Sequence, residues 1–157
     1  MKTEYWFQKW ERNQIAFHEG EANSLLQAHF QRLALKAGAR IFLPLCGKTR
    51  DIPWLLTKGH RVVGAELVEG AVERLFHELE IEPRVSEAGK LRRYQAANLD
   101  VFAGDIFELS GEVLGAVDAV YDRAALVALE PALRDRYAKH LIRITGAAPQ
   151  LLIVYDS

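Results

Sequence analysis

The chain has 157 residues, half of them hydrophobic and about a quarter charged, with a net charge of −1 at pH 7. That length and balance fit one globular domain with a real core, and they leave no basic excess with which to hold a nucleic-acid backbone. A single cysteine excludes an internal disulfide framework and suits a reducing, cytoplasmic setting; no apolar run is long enough to span a membrane, and the N-terminus is too polar for a secretory signal.

Residues 1–20 are aromatic and polar, with Tyr5, Trp6, Phe7, Trp10, Phe17 and His18. Trp6 and Trp10 are four apart, so a helix sets both on one face. Such a segment either buries its aromatics on the domain or closes over a flat, π-rich ligand. We therefore divide the single domain into an N-terminal lid, residues 1–22, and a core, residues 23–157. From Asn23 to Lys36, Leu25, Leu26, His29, Phe30 and Leu33 recur at helical spacing, and Gly38 is placed to close that helix.

Residues 40–45 are apolar apart from Arg40 and include Pro44, which reads as a buried strand with one donor missing near its end. Gly47 supplies a turn, and Asp51-Ile52-Pro53 opens a helix, with Asp51 as its cap and Pro53 in its first turn. A second strand, residues 61–66, ends in the carboxylate of Glu66. A strand, an open turn, a helix and a second strand with an acidic residue about 20 positions on is an arrangement that holds an adenosine, the carboxylate taking the ribose hydroxyls.

A third helix is expected over residues 69–80, with Val72, Leu75, Phe76 and Leu79 as its buried stripe. Residues 81–98 lack a helical period, and Arg92, Arg93 and Tyr94 suggest a short exposed strand or hairpin. Residues 99–105 alternate and end in Gly104-Asp105, which predicts a strand with functional groups at its carboxyl end. Residues 111–115 read as a loop between two glycines. Residues 117–123 form the next strand, ending in Asp122-Arg123. A short helix over residues 124–129 comes next, then a helix opened by Glu130-Pro131, with Leu133, Tyr137, Leu141 and Ile144 on one face and Gly146 at its end. Residues 151–155 are the last strand.

Strands alternate with helices throughout, which predicts an α/β fold: a mostly parallel, Rossmann-like sheet with helices on both faces and its ligand at the carboxyl ends of the strands. Leu45, Gly47, Glu66, Gly104 to Phe107 and Asp122-Arg123 all fall at those ends.

Gly47-Lys48-Thr49 looks like the end of a phosphate-binding loop, but Phe42 stands where that loop needs its first glycine. The dinucleotide pattern of three glycines is absent too, which weighs against NAD or FAD. A cofactor with adenosine and no phosphate meets neither objection, and S-adenosyl-L-methionine is such a cofactor. Cys46 has no histidine partner in sequence and reads as a small buried filler. The five histidines form no metal-ligand pattern. Asp105 is open between two roles, capping the segment after its strand or facing an adenine amine. Arg123 pairs with Asp122 or serves binding, and we favour binding.

The chain resembles the thiopurine S-methyltransferase family. The resemblance rests on Trp6-x-x-x-Trp10 followed by Ala16-Phe17-His18, on Leu43-Pro44-Leu45-Cys46-Gly47-Lys48, on Val62-Val63-Gly64-Ala65-Glu66, on Gly104-Asp105-Ile106-Phe107 and on Tyr121-Asp122-Arg123-Ala124-Ala125-Leu126, in order and spacing. It implies a class I methyltransferase fold that binds S-adenosylmethionine and methylates the sulfur of aromatic or heterocyclic thiols, thiopurines among them. It also implies a detoxifying role that extends to tellurium and selenium compounds. Carried over by position, Trp10, Leu45, Glu66 and Arg123 contact the cofactor, Ile106 and Trp6 flank the adenosine, and Phe17 faces the acceptor; Gly47 joins the cofactor set as the open backbone of the first turn. The family continues beyond the position of Ser157. The sheet is therefore expected to lack its terminal strands, leaving residues 151–154 as an edge through which chains self-associate. The rival reading is a non-catalytic module that binds S-adenosylmethionine or a nucleotide.

Overall fold

The computed structural model describes residues 24–44, 46, 51–123 and 130–153. Among the described residues seven strands form one sheet: β1 (Arg40–Leu43), β2 (Arg61–Glu66), β3 (Arg84–Ala88), β4 (Leu91–Gln95), β5 (Leu99–Ala103), β6 (Ala119–Arg123) and β7 (Gln150–Ile153). Their spatial order is β3-β4-β5-β2-β1-β6-β7. The strands from β5 through β7 run parallel, while β4 pairs antiparallel with both β3 and β5. Parallel neighbours need a crossover between them. Those crossovers hold the helices α2 (Asp51–Thr57), α3 (Glu69–Glu78), α4 (Gly111–Leu114) and α5 (Pro131–Thr145), with α1 (Ser24–His29) ahead of β1. None of the helices among the described residues is long and apolar enough to cross a membrane.

Strand side chains alternate between faces, and the core divides accordingly. Ile41, Leu43, Val62 and Val101 pack on one face with Leu26 of α1, Ile52 and Leu55 of α2, and Val72, Leu75 and Phe76 of α3. Phe42, Val63, Ala65 and Phe102 pack on the other with Leu114 of α4 and Tyr137, Leu141 and Ile144 of α5. Burial on both faces is why β1 and β2 read as continuous apolar runs. The expected architecture, a mostly parallel sheet with helices on both faces, is the one observed.

Three local expectations are corrected. The first helix does not run to Gly38. It stops at His29, tightens into a 3₁₀ turn over Phe30–Leu33, and ends where the Ala34 N–H reaches back to the Gln31 carbonyl at 3.0 Å with Ala34 at φ 51°. Gly38, at φ 77°, instead turns the chain into β1. Residues 111–115 are not a loop. Ser110 accepts a hydrogen bond from the Val113 N–H at 3.1 Å, an N-cap, and Gly111–Leu114 form a helical turn that buries Leu114. The region of residues 81–98 does contain a hairpin, but β4 joins β5, so of the two hairpin strands β3 is the one at the sheet's edge, its residues 84–87 exposed. The last strand is Gln150–Ile153, and it bounds the sheet on the other side among the described residues. The helix expected over residues 124–129 and the lid over residues 1–22 lie outside the described residues.

The amino end of β1 is held by Arg40. Its backbone N–H donates to Asp118 Oδ2 at 2.8 Å, and its guanidinium donates to the carbonyls of Leu114 at 2.6 Å and Ala116 at 3.1 Å. Asp100 lies 3.6 Å from Arg40 and 2.7 Å from Arg93.

One packing detail constrains the carboxyl end of the sheet. A Cβ built on Gly64 of β2 would meet Cys46 Sγ at 2.7 Å, closer than two such atoms can stand. Gly64→Ala should therefore destabilise the fold by about 1–3 kcal/mol in urea titration, the cost of overpacking. Adding Cys46→Ala should restore most of that loss; a double variant no more stable than Gly64→Ala would show that the clash is not with the thiol.

Candidate active site

The carboxyl ends of β1, β2, β5 and β6 lie along one end of the sheet. β2 is the hub. The Cys46 N–H, just after β1, donates to the Ala65 carbonyl at 2.8 Å, and the Gly104 N–H, just after β5, donates to the Glu66 carbonyl at 2.9 Å. Both neighbouring turns are thereby tied to the last two residues of β2.

Glu66 is only 7% exposed. Its Oε2 accepts the Val68 N–H at 2.8 Å, bending the carboxylate back over the start of α3, where Val68 is the cap residue and offers no side-chain bond of its own. A buried carboxylate needs such donors, because burial alone strongly disfavours the charge. The first turn of α3 is braced from the hairpin: Tyr94 donates to Glu69 Oε2 at 2.6 Å, and Arg92 reaches the same oxygen at 3.0 Å.

After β5 the chain passes beneath β4. Gly104 has φ 135°, and a Cβ there would stand 2.6 Å from Leu91 Cδ2, so only glycine fits. Asp105 then caps a short 3₁₀ turn, Ile106–Glu108, its Oδ1 accepting the Phe107 N–H at 2.9 Å. Of the two roles left open for Asp105, the structure displays the cap. Ile106 is buried at the start of that turn, and its carbonyl accepts from His140 Nε2 of α5 at 2.8 Å.

Cys46 is buried, as the filler reading expects. Burial pushes its thiol well above the ordinary range, and the nearby Glu66 charge pushes the same way. That opposes the thiolate a nucleophile requires.

Of the residues singled out in the sequence, Glu66 is bonded through its carbonyl to Gly104, and Ile106 follows two residues later. The backbone of Arg123 ends β6, with β1 between it and β2. Trp6, Trp10, Phe17, Leu45 and Gly47 lie outside the described residues. Two buried pairs went unread. Asp51, expected only as a cap, is fully buried and accepts from the Tyr121 hydroxyl at 2.8 Å; Asp122, also fully buried, accepts from the Tyr137 hydroxyl at 3.2 Å. Burial, then the charge of Asp122, raises the Tyr137 phenol well above its ordinary value, so it stays a neutral donor. A signal existed: a tyrosine on an otherwise apolar stripe needs a polar partner when buried.

The model of the family described as thiopurine S-methyltransferase matches residues 1–157. The chain belongs to the thiopurine S-methyltransferase family. A thiopurine S-methyltransferase of Xanthobacter autotrophicus is 54% identical over 157 residues, covering 99% of this chain and 74% of that protein. One from Gluconobacter oxydans is 47% identical over 152 residues, covering 97% and 69%. Among solved structures, a glycopeptide N-methyltransferase complexed with sinefungin superposes with a TM-score of 0.64 at 13% identity, over 85% of this chain and 50% of that one, a likeness of fold. This family member is an S-adenosylmethionine-dependent methyltransferase of class I fold. Glu66 ends β2 with a buried carboxylate acceptor.

If Cys46 is packing rather than chemistry, the folded protein should react with a thiol reagent at pH 8 at least about tenfold more slowly than the urea-unfolded chain, because thiolate is scarce. Since the thiol is shifted upward, the folded rate should still be climbing with pH where an ordinary thiol has levelled off. Rapid labelling of the folded chain at pH 7 would return Cys46 to the list of reactive groups.

Proposed function

We propose that this methyltransferase transfers the methyl group of S-adenosylmethionine to the sulfur of aromatic or heterocyclic thiols, thiopurines among them, with tellurium and selenium compounds as further acceptors in a cytoplasmic detoxifying role. The observation that carries the reading is Glu66: a buried carboxylate at the end of β2, beside turns without phosphate-binding glycines. Naming of the curated relatives as thiopurine S-methyltransferases supports the acceptor class.

In this reading Glu66 holds the ribose, and Ile106 with Trp6 flanks the adenosine. Trp10, Leu45, Gly47 and Arg123 contact the rest of the cofactor. Phe17 faces the acceptor from a lid, residues 1–22, over the core of residues 23–157. When bound, S-adenosylmethionine supplies an electrophilic methyl on a sulfonium, open to in-line displacement by an ionised thiol. Heterocyclic thiols ionise readily, so the protein needs no strong base. Its task is to align the reactants and exclude water, effects that are together worth several kcal/mol. Asp51, Glu66 and Asp122, buried at this end of the sheet, suit a positively charged cofactor.

Calorimetry with S-adenosylhomocysteine tests the cofactor half. Hydrogen bonds to a charged group contribute roughly 1.5–3 kcal/mol, so Glu66→Ala should weaken binding by about tenfold to 150-fold. Equal affinity in that variant would refute the ribose assignment. A methyl-transfer assay tests the other half: a thiopurine should yield its methyl thioether, and the matching oxygen-bearing purine should not. Tight cofactor binding with no product from any thiol would favour the non-catalytic module.

A further inference from the structure

We propose that His140 is a positioning residue for the adenine side of the cofactor site, acting through the carbonyl of Ile106. The inference rests on the reading above, in which the turn after β5 flanks the adenosine, and adds the support of that turn.

The turn Ile106–Glu108 is anchored at its start by Gly104 beneath Leu91 and by the Asp105 cap. Neither bond ties it to the helices behind it. That tie comes from α5. The Ile106 carbonyl takes the Leu109 N–H at 3.0 Å from within the turn and His140 Nε2 at 2.8 Å from α5. A carbonyl only accepts, so Nε2 carries the proton. One helical turn earlier on α5, the Arg136 guanidinium lies 4.1 Å from the centre of the Phe107 ring, and that ring stands 5.3 Å from the His140 ring. Residues four apart on α5 thus grip consecutive residues of the turn, one by its backbone and one by its side chain.

His140 is buried beside Tyr137, Leu141 and Ile144. Packing alone would be served by leucine there, since a buried polar ring costs stability unless it is bonded. The bond it makes fixes where the Ile106 backbone sits, two residues after the Gly104 N–H that is bonded to the end of β2, and adenine affinity depends on that placement.

Calorimetry on the full chain with S-adenosylhomocysteine and with 5′-methylthioadenosine, which keeps the adenosine and lacks the amino-acid tail, tests the inference. His140→Phe keeps a ring and loses the donor. It should weaken both ligands by the same factor, about three- to tenfold, the worth of a neutral hydrogen bond. His140→Gln, which can still donate, should recover most of that loss. In turnover, the change should fall on KM for S-adenosylmethionine rather than on kcat or on KM for the thiol. A merely structural histidine would lower thermal stability without this pattern. Should His140→Phe fail to fold, the unaltered protein decides: with ¹⁵N-labelled histidine, the His140 Nε2–H resonance should move on saturation with S-adenosylhomocysteine. An unmoved resonance, or a folded His140→Phe that binds both ligands like the parent, overturns the inference. If Glu66→Ala also binds like the parent, the reading of the site itself fails; if Glu66→Ala weakens binding and His140→Phe does not, only the role of His140 falls.

Discussion

Two backbone hydrogen bonds, from Cys46 to Ala65 and from Gly104 to Glu66, set the geometry on which the site depends. Each joins the end of β2 to backbone just past a neighbouring strand. They bring the turns after β1 and β5 level with the end of β2, so three chain segments open onto one place. Small residues make this possible. Gly64 leaves room for the Cys46 thiol, and Gly104 leaves room for Leu91. Backbones can therefore approach closely at these strand ends.

Three carboxylates at this end are buried and hydrogen-bonded. Asp51 is met by Tyr121, Asp122 by Tyr137, and Glu66 by the start of α3. A carboxylate sunk in a low-dielectric region exerts a field far stronger than one in water. The Tyr121 and Tyr137 hydroxyls supply Asp51 and Asp122 with the donors that burial demands. This end of the sheet takes its polar character from carboxylates set in the core beneath it.

Much of this was legible from local pattern. Apolar runs marked β1, β2 and β5, and the carboxylate or glycine after each marked the ligand end, because a parallel strand buried on both faces has few places for a polar residue. The family motifs named the cofactor class. What escaped was long-range pairing. Nothing near Asp51 announces Tyr121, 70 residues on, and nothing near Ile106 announces His140, 34 residues on. The end of α1 was misplaced because Gly38 looked like its natural stop, whereas the chain closed earlier through a 3₁₀ turn at Ala34. Residues 111–115 were misread because their two glycines outweighed Ser110, whose capping bond is what makes the helical turn.

At the opposite end of the sheet, Arg40 binds Asp118, 78 residues away, together with two carbonyls just before it. Here the chain closes a long circuit, bringing β6 beside β1 with the hairpin and β5 between them in sequence. Closing so long a loop costs entropy before any contact rewards it, so such pairings tend to come late in folding. Bonds absent from the transition state govern the rate of unfolding rather than the rate of folding. The arginine at the head of β1 is thus a latch on the lifetime of the native sheet, placed far from the chemistry, where a change in persistence leaves the reacting geometry untouched.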